Sequence, residues 1–367
     1  MPAIDYFDDI LLLLRRLIAT PSFSNEEDKA ADLWEEWLRA HGADVRRFHN
    51  NVYAPGKAFD PSKPLLLLNS HLDTVRPVST YTRNPFEPTL EGGKLYGLGS
   101  NDAGAAGVAL AASFLELHQR DDLPVNLILA ISASEERMGE LGMRALLPHL
   151  REKDMYPDMA IVGEPTSLQG AIAERGLVVV DAEVEGKAGH AARNEGINAI
   201  SRAVEDISAL NAAKFDNDSP VLGPLKVNVT VINAGSQHNV IPDKCSYVVD
   251  VRTTDTYPNE DIVPLLEGVT RWSRMKARST RVKPSVLRAD HPLFKASVAL
   301  GLNPFVSPTT SDMALMHDIP SLKIGPGESA RSHSADEFIE LREIKEALDI
   351  YPRLICKINM ADIAPGK

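Results

Sequence analysis

Along roughly the first 170 positions, short apolar runs alternate with segments in which apolar residues recur every three or four positions. The helical spacing at 5–19 and 25–41 predicts two amphipathic helices. The runs at 65–68, 126–131 and 159–162 are almost wholly apolar, which is typical of strands buried on both faces. Helices that alternate with such strands predict an α/β sheet with helices packed on both of its faces.

The hydrophobic pattern changes after about residue 175. Segments 177–184, 225–232 and 246–252 alternate apolar and polar residues, which indicates strands with one buried face. Helical segments at about 195–213 and 259–275 lie between and after these strands. This order predicts a small β-α-β-β-α-β domain of ferredoxin-like topology.

A chain of 367 residues is long enough for two domains. After about residue 285 the pattern returns to loop-rich α/β material and ends in a helix near 340–360. We therefore predict that one domain is inserted into the other. The predicted α/β domain is formed by 1–175 and 285–367, and the inserted α+β domain by 176–284.

The charge balance excludes two classes of partner. The chain carries 39 basic and 51 acidic residues, a net charge of -12. Nucleic-acid binding and docking on anionic lipid both require a basic surface, so neither partner is expected. A content of 44% hydrophobic and 25% charged residues is ordinary for a soluble globular enzyme.

Cysteine usage and the N-terminal segment indicate a cytoplasmic protein. Cys245 and Cys356 are far apart and form no Cys-x-x-Cys pair, so neither a disulfide framework nor a thiolate zinc site is expected. Asp5, Asp8 and Asp9 occupy the region where a signal peptide needs basic residues. No apolar run approaches the roughly 20 residues of a membrane span.

Polar side chains follow the predicted buried strands. The candidate positions are His71, Asp102, the pair Glu135 and Glu136, Glu164, and His333 nearer the end of the chain. Open α/β sheets bind ligands at the carboxyl ends of their strands, so we expect these side chains to meet there. Nitrogen and oxygen donors without cysteine suit zinc, cobalt or manganese in a catalytic role. Two metal ions about 3.5–4 Å apart need a bridging carboxylate and about two further ligands each, which this set supplies with one glutamate to spare.

Each candidate taken alone has an ordinary structural explanation. A histidine after a strand is more often a hydrogen-bonded structural residue, and adjacent glutamates usually begin a solvated helix. The segment 97–104 is a glycine-rich turn and nearly a dinucleotide fingerprint, but Asp102 stands where the third glycine belongs and would repel a pyrophosphate. The shared location at strand ends favours the metal site over these separate explanations.

Taken together, these segments resemble the M20-type metallopeptidases and deacylases, and among them the acetylornithine deacetylase and succinyl-diaminopimelate desuccinylase group. The resemblance covers residues 5 to about 350. The residues that carry it are His71-Leu72-Asp73-Thr74-Val75, Gly-x-Gly-x-x-Asp102, Glu135-Glu136, Gly163-Glu164-Pro165-Thr166 and His333-x-x-Asp336-Glu337.

The resemblance implies a zinc-peptidase-like catalytic domain with an inserted lid and dimerisation domain. It also implies two divalent metal ions, with zinc as the first expectation and cobalt or manganese as alternatives. His71 and Glu164 would hold one ion, Glu136 and His333 would hold the other, and Asp102 would bridge them.

The resemblance assigns roles beside the metal ligands as well. Asp73 would orient His71, as carboxylates behind metal-bound histidines commonly do. Glu135 would be the general base, taking a proton from the attacking water and delivering it to the leaving amine. The peptide bond between Asp102 and Ala103 would be cis, which is rare outside proline.

The inserted domain carries three further matches. His190, in the segment 186–192, would stabilise the oxyanion in the active site of a neighbouring subunit, which implies a homodimer. Asn239 would lie in the substrate site. Arg252 would bind a substrate carboxylate, although a surface ion pair between strands is an equally good explanation for this residue.

The resemblance implies hydrolysis of an N-acyl amino acid, first of all N-acetyl-L-ornithine to L-ornithine and acetate in arginine biosynthesis. N-succinyl-ornithine, an N-acyl-citrulline or a dipeptide are alternatives that share the same metal core. A relative that binds without catalysis is the alternative outside enzymes, although no ligand and no base is missing. Gly104 departs from the lysine that many relatives have two residues after the bridging aspartate.

Overall fold

The computed structural model describes residues 6–193 and 195–359, and its contacts divide the chain into two compact units. The second unit comprises Ala173–Val286 and Val306–Thr310, and the first unit comprises the other described residues. The insertion predicted at 176–284 lies within the longer of these segments. The sequence pattern did not assign the short segment 306–310 to it.

Eight α-helices lie in the described residues. Residue 5, the predicted start of the first helix, and residue 360, the predicted end of the last one, lie outside the described residues. The helices are α1 Phe7–Ile18, α2 Asp28–Ala40, α3 Ala105–Leu117, α4 Met143–Glu152, α5 Ala199–Ala212, α6 Ile262–Glu267, α7 Pro292–Ala299 and α8 Leu341–Lys357. None of them combines the length and the apolar character that a membrane span requires.

The described residues also form eighteen strands. They are β1 Arg46–Phe48, β2 Asn51–Pro55, β3 Leu65–His71, β4 Thr89–Glu91, β5 Lys94–Tyr96, β6 Asn126–Ser132, β7 Met159–Val162, β8 Gly170–Glu174, β9 Gly176–Glu185, β10 Gly189–His190, β11 Lys226–Ala234, β12 Val240–Ile241, β13 Lys244–Thr253, β14 Ser273–Ala277, β15 Ser285–Val286, β16 Pro304–Ser307, β17 Ser321–Lys323 and β18 Phe338–Glu340.

The large sheet has the strand order β1-β2-β6-β3-β7-β17-β8-β15, and β16 also pairs with β8. Strand β3 runs parallel to both β6 and β7. Every residue of β3 and β6 is buried, because helices cover both faces of this part of the sheet. Leu66 and Leu68 pack with α1, α2, α3 and α8, whereas Leu65 and Leu67 pack with α4 on the other face. The predicted α/β layering is therefore present.

Parallel pairing brings the carboxyl ends of three strands to one edge of the sheet. His71, the last residue of β3, lies opposite Ser132, the last residue of β6. On the other side of β3, Asn69 lies opposite Val162 at the end of β7. The turns that follow these strands therefore begin side by side.

The second unit contains a four-stranded antiparallel sheet with the order β11-β13-β9-β14. Together with α5 and α6, the chain order is β-α-β-β-α-β, as the sequence pattern predicts. The helix predicted over 259–275 was too long, because α6 ends at Glu267 and β14 pairs with β9. Alternate residues of β9 and β13 form the core of this unit with apolar residues of α5 and α6.

Candidate metal centre

Five of the predicted residues meet at the carboxyl edge of the large sheet. Asp102 lies between two imidazoles, with Oδ1 3.2 Å from Nε2 of His71 and Oδ2 3.7 Å from Nε2 of His333. Glu164 Oε1 lies 3.7 Å from His71 Nε2, and Glu136 Oε2 lies 2.9 Å from His333 Nε2. Each imidazole therefore faces one oxygen of Asp102 and one further carboxylate.

The backbone fixes the orientation of the His71 ring. Its Nδ1 lies 2.9 Å from the main-chain carbonyl oxygen of Asp73, and a carbonyl oxygen can only accept a hydrogen bond. Nδ1 therefore carries a hydrogen, and Nε2 points toward Asp102 and Glu164. This is the arrangement in which a histidine presents Nε2 to a metal ion.

The carboxylate of Asp73 has a different task from the one the resemblance implies. Its Oδ1 lies 3.6 Å from His71 Nδ1, beyond hydrogen-bond distance, so the carbonyl oxygen and not the carboxylate orients the ring. The carboxylate accepts hydrogen bonds from the backbone N–H of Glu135 at 3.0 Å and of Glu136 at 3.2 Å. It also accepts one from the Ser24 hydroxyl at 2.7 Å. Asp73 therefore holds the turn that carries the two adjacent glutamates.

Glu135 is buried beside the same cluster. The ligand atoms of His71, Asp102 and Glu136 lie within 4.8 Å of one another, as do those of His71, Glu135 and Glu164. The side chain of Glu136 is 8% exposed and Glu135 as a residue is 7% exposed. Glu135 thus lies close enough to act on a group held by the other four side chains.

Burial and mutual repulsion dominate the electrostatics of the acidic groups. Burial raises the pKa of the Glu135 carboxyl well above its usual value and that of Glu164 to about 8. For Asp102 the hydrogen bond and charge of His71 outweigh burial and hold the pKa below its usual value.

The two imidazoles respond in the opposite direction. Burial lowers the pKa of His71, but the neighbouring carboxylates of Asp102, Asp73 and Glu164 outweigh it and raise the pKa well above its usual value. A hydrogen bond to Glu136 raises the pKa of His333 to about 9.

This donor set fits divalent cations. Four carboxylates and only two imidazoles share the cluster, so ionising all four carboxylates leaves an excess of negative charge even when both rings are protonated. Buried carboxylates are costly unless they are paired with cations or coordinate metal ions. Oxygen and nitrogen donors, without thiolate, suit a catalytic zinc, cobalt or manganese ion.

The comparisons with known proteins agree with this site. Residues 67–357 match peptidase family M20/M25/M40. The chain belongs to this family. A succinyl-diaminopimelate desuccinylase from Erythrobacter litoralis (strain HTCC2594) is 26% identical in an alignment 375 residues long, and the alignment covers 93% of this chain and 96% of the relative. Another from Caulobacter sp. (strain K31) is 28% identical in an alignment 376 residues long, which covers 95% of each chain.

Solved structures of family members share the fold. A family M20 metallo-carboxypeptidase from Sulfolobus solfataricus superposes with a TM-score of 0.74 at 18% identity, over 96% of this chain and 99% of that chain. A dinuclear metal-binding M20 peptidase from Bacillus subtilis superposes with a TM-score of 0.74 at 17% identity, over 98% of this chain and 99% of that chain. The predicted family and α/β fold class are confirmed, and the protein is an enzyme of the M20 metallopeptidase and amidohydrolase family.

Glu337 lies in the segment that begins at His333, but the sequence alone indicated no role for it. Glu337 is 2% exposed and accepts hydrogen bonds from three backbone N–H groups, those of Gly99, Asn101 and Asp102, at 3.0, 2.8 and 2.9 Å. It therefore holds the turn that carries Asp102. The peptide bond between Asp102 and Ala103 is cis, as the resemblance implies.

Packing explains why this M20 enzyme has glycine at position 104. A Cβ atom there would lie 2.4 Å from the carbonyl oxygen of Gly99 and 2.7 Å from Cδ1 of Leu14. Both distances are shorter than van der Waals contact, so a larger side chain requires the turn or α1 to move. With glycine in place of the lysine that many relatives have here, α1 can pack closely against the turn.

The remaining predicted residues of the M20 enzyme lie in its second unit. Strands β10 and β12 pair, with His190 opposite Val240, and the backbone N–H of Ala191 donates to the carbonyl oxygen of Asn239 at 3.1 Å. The structure therefore brings His190 and Asn239 together, and both are exposed.

Arg252 of the M20 enzyme is engaged with a carboxylate of its own strand. Its Nε lies 2.9 Å from Oδ1 of Asp250, and its Nη2 lies 3.2 Å from Oδ2. This pair is bidentate, which is the geometry that an arginine also uses for a ligand carboxylate. Arg252 therefore forms an ion pair within its own strand and not between strands as the sequence alternative had it. A substrate role remains a prediction.

Proposed function

We propose that the protein is a two-metal deacylase that hydrolyses the linear amide bond of an N-acyl amino acid. The observation that carries this proposal is the position of Asp102, which directs one oxygen toward His71 and the other toward His333. The name of the Bacillus subtilis relative, a dinuclear metal-binding peptidase, supports the count of two ions.

In this proposal the chain holds the ions with five side chains. His71 and Glu164 hold one ion, Glu136 and His333 hold the other, and Asp102 contacts both. When bound, the ions act as Lewis acids on the amide carbonyl and on the attacking water. Zinc is the first candidate, and cobalt or manganese also suits these donors.

Glu135 moves the proton in this proposal. Burial raises the pKa of its carboxyl, which makes the carboxylate a stronger proton acceptor. Its carboxylate takes a proton as water adds to the carbonyl carbon, and it delivers that proton to the nitrogen as the amide bond breaks. An acid and a free amine leave the site.

The names of the relatives favour an N-succinyl group as the acyl group. The relatives described above are succinyl-diaminopimelate desuccinylases. N-acetyl-L-ornithine, the first expectation from the sequence, becomes the alternative together with N-acyl-citrulline and dipeptides. With N-acetyl-L-ornithine as the substrate, the reaction would belong to arginine biosynthesis. A succinyl group carries a free carboxylate, which would compete with Asp250 for the guanidinium of Arg252.

A panel of substrates tests this proposal. N-acetyl and N-succinyl forms of ornithine, citrulline and diaminopimelate are compared with dipeptides, using protein supplied with zinc or cobalt and protein treated with a chelator. We expect the highest kcat/KM with an N-succinyl compound and no turnover after chelation. Arg252→Ala should lower kcat/KM for the succinyl compound by about tenfold or more and leave the acetyl compound nearly unchanged. Turnover that persists after complete metal removal contradicts the two-metal proposal.

We also propose that a second copy of the chain binds to the second unit. Strand β11 is the last strand of its sheet, and Val231 and Ile232 on it are 46% and 50% exposed. Val204 on α5 is 52% exposed. An exposed apolar edge strand is a template for pairing with another chain, and a homodimer would cover it. Sedimentation should give the mass of a dimer for the parent, and Val231→Lys should shift it toward the monomer.

A further inference from the structure

Four successive backbone N–H groups in the turn after β6 are bound by side chains from elsewhere in the chain. The Ala133 N–H donates to Asn51 Oδ1 at 3.0 Å, and the Ser134 N–H donates to Glu27 Oε1 at 3.1 Å. The next two N–H groups donate to the Asp73 carboxylate, as described above. We call Glu27, Asn51 and Asp73 the turn clamp.

Within the turn clamp, Glu27 is a residue that has no role in the proposed function. It is 1% exposed, and its Oε1 also accepts from the Ser134 hydroxyl at 2.8 Å and from the Asn25 N–H at 2.6 Å. Its Oε2 accepts from Asn50 Nδ2 at 3.2 Å. None of these donors is charged. Burying a carboxylate without a neighbouring cation costs free energy, so the four hydrogen bonds that Glu27 accepts must stabilise it here.

The turn itself needs such support. Ser134 has a φ of 54°, in the left-handed region that is sterically unfavourable for a residue with a side chain. The segment is also tight, because a Cβ atom on Gly139 would lie 2.5 Å from Cβ of Ser134. A turn with these features reverts to a more common conformation unless other contacts hold it.

The conformation of the turn determines what each of the two adjacent glutamates faces. Glu135 lies with His71 and Glu164, whereas Glu136 accepts a hydrogen bond from Nε2 of His333 at 2.9 Å. Because the two residues are neighbours in the chain, a rotation of the backbone between them would redirect both carboxylates together.

We propose that Glu27 is a positioning residue that, with Asp73 and Asn51, fixes which of the two adjacent glutamates serves as the base and which as the metal ligand. This inference rests on the roles of Glu135 and Glu136 in the proposed function. Glu27 acts through the backbone of Ser134 and does not contact the candidate ligands.

The experiment compares Glu27→Ala and Glu27→Gln with a matched control, Asn126→Ala. Asn126 is 3% exposed and lies at the opposite end of β6, where its side chain binds the backbone of Asp60 and Lys63. Losing Asn126 therefore removes buried hydrogen bonds from the same strand without touching the turn. Thermal unfolding of all three variants shows whether their losses of stability are comparable.

The decisive readout is metal binding, which does not depend on the substrate. Titration of metal-free protein with Co²⁺, followed by calorimetry and by the visible absorption of the bound cobalt, should show two ions in the parent. In Glu27→Ala we expect one of them to bind about 10–100-fold more weakly, the usual cost of losing a residue that supports metal ligands. With an active substrate, kcat should fall by a similar factor while KM stays near the parental value.

The conservative variant separates positioning from charge. Glu27→Gln retains an oxygen that can accept from Ser134, so it should recover most of the cobalt affinity and most of kcat. Where Glu27→Ala does not fold, Glu27→Asp replaces it, because the shorter carboxylate keeps the charge but cannot reach Ser134 N–H.

The inference is overturned when Glu27→Ala, or Glu27→Asp in its place, has the cobalt affinity, the cobalt spectrum and the kcat of Asn126→Ala. A parent that binds no cobalt would instead overturn the two-metal proposal, and with it the role assigned here. If the parent binds two ions but hydrolyses none of the substrates, the proposed substrate class is wrong. In that case the cobalt titrations still decide whether Glu27 positions the turn.

Discussion

The two units of the molecule place their polar side chains in opposite ways. In the first unit, the imidazole of His71 and several carboxylates lie inside, near the carboxyl ends of buried parallel strands, and Asp102 and Glu164 have side chains only 12% and 14% exposed. The side chain of His333 is 55% exposed. In the second unit, the sheet and its helices bury an apolar core, while His190 and Asn239 are exposed. No group of three metal-ligating side chains occurs in the described residues of the second unit.

This difference indicates how each unit contributes to function. The first unit brings several carboxylates together, and the repulsion among them is a cost to folding that a cation removes. The second unit has no comparable cluster of carboxylates. We therefore expect its exposed polar residues to act on groups outside the unit. The first unit should therefore respond to metal ions, and the second to substrate and to a second copy of the chain.

The strongest test of this contrast is the variant Glu135→Gln in the first unit. Loss of a positioned acid or base costs about 10²–10⁴-fold in rate, so we expect kcat to fall by about 10³-fold. The amide cannot accept a proton from water, but the five proposed ligands are untouched, so the titration with Co²⁺ should still show two ions. The matched variant Glu136→Gln should weaken one cobalt ion as well as lowering kcat. A near-parental rate for Glu135→Gln would remove the role assigned to that residue.

The hydrophobic pattern of the sequence predicted the long strands and the main order of elements in both units. The runs that became β3, β6 and β7 are almost wholly apolar, which indicates burial on both faces, and β9, β11 and β13 are long enough to show alternation. Strands of two to four residues, such as β15, β16 and β17, show no period. That is why the segment 306–310 was not assigned to the second unit.

The candidate site was predictable only where residue type carries the chemistry. His71, Asp102 and Glu164 stand out because each follows a strand end in a recognisable segment. Glu27 did not, because its contact with Ser134 spans 107 positions and involves a backbone N–H that every residue except proline offers. The contact of Glu337 with Asn101 spans 236 positions and has the same character.

A smaller effect is expected from the second unit, in His190→Ala. Removing one group that stabilises an oxyanion costs about 10²–10³-fold in kcat, so we expect a loss of about 10²-fold with two cobalt ions still bound. The cobalt affinity should remain parental because none of the proposed ligands lies in this unit.

Mixing two inactive variants shows which subunit His190 serves. In a heterodimer of Glu135→Gln and His190→Ala, one site has both residues intact only when His190 acts on the neighbouring subunit. Random exchange of subunits should then restore activity to about one quarter of all sites. Absence of recovery, with subunit exchange verified by mass, would place His190 in its own subunit or outside catalysis.

A further effect is a pH dependence of metal binding that belongs to the first unit alone. In the metal-free protein the pKa of His333 is raised to about 9 by its hydrogen bond to Glu136, and that of Glu164 is raised to about 8 by burial. Both groups therefore carry a proton at pH 7, and both must lose it to bind a metal ion.

The apparent cobalt affinity should rise as the pH increases from 7 and become level above about 9, where neither proton remains to be displaced. Calorimetry in two buffers of different ionisation enthalpy measures the protons released, at least two at pH 7 and fewer at pH 9. His190→Ala should release the same number as the parent, whereas an affinity that does not change with pH would show that the buried cluster is not held protonated in the absence of metal.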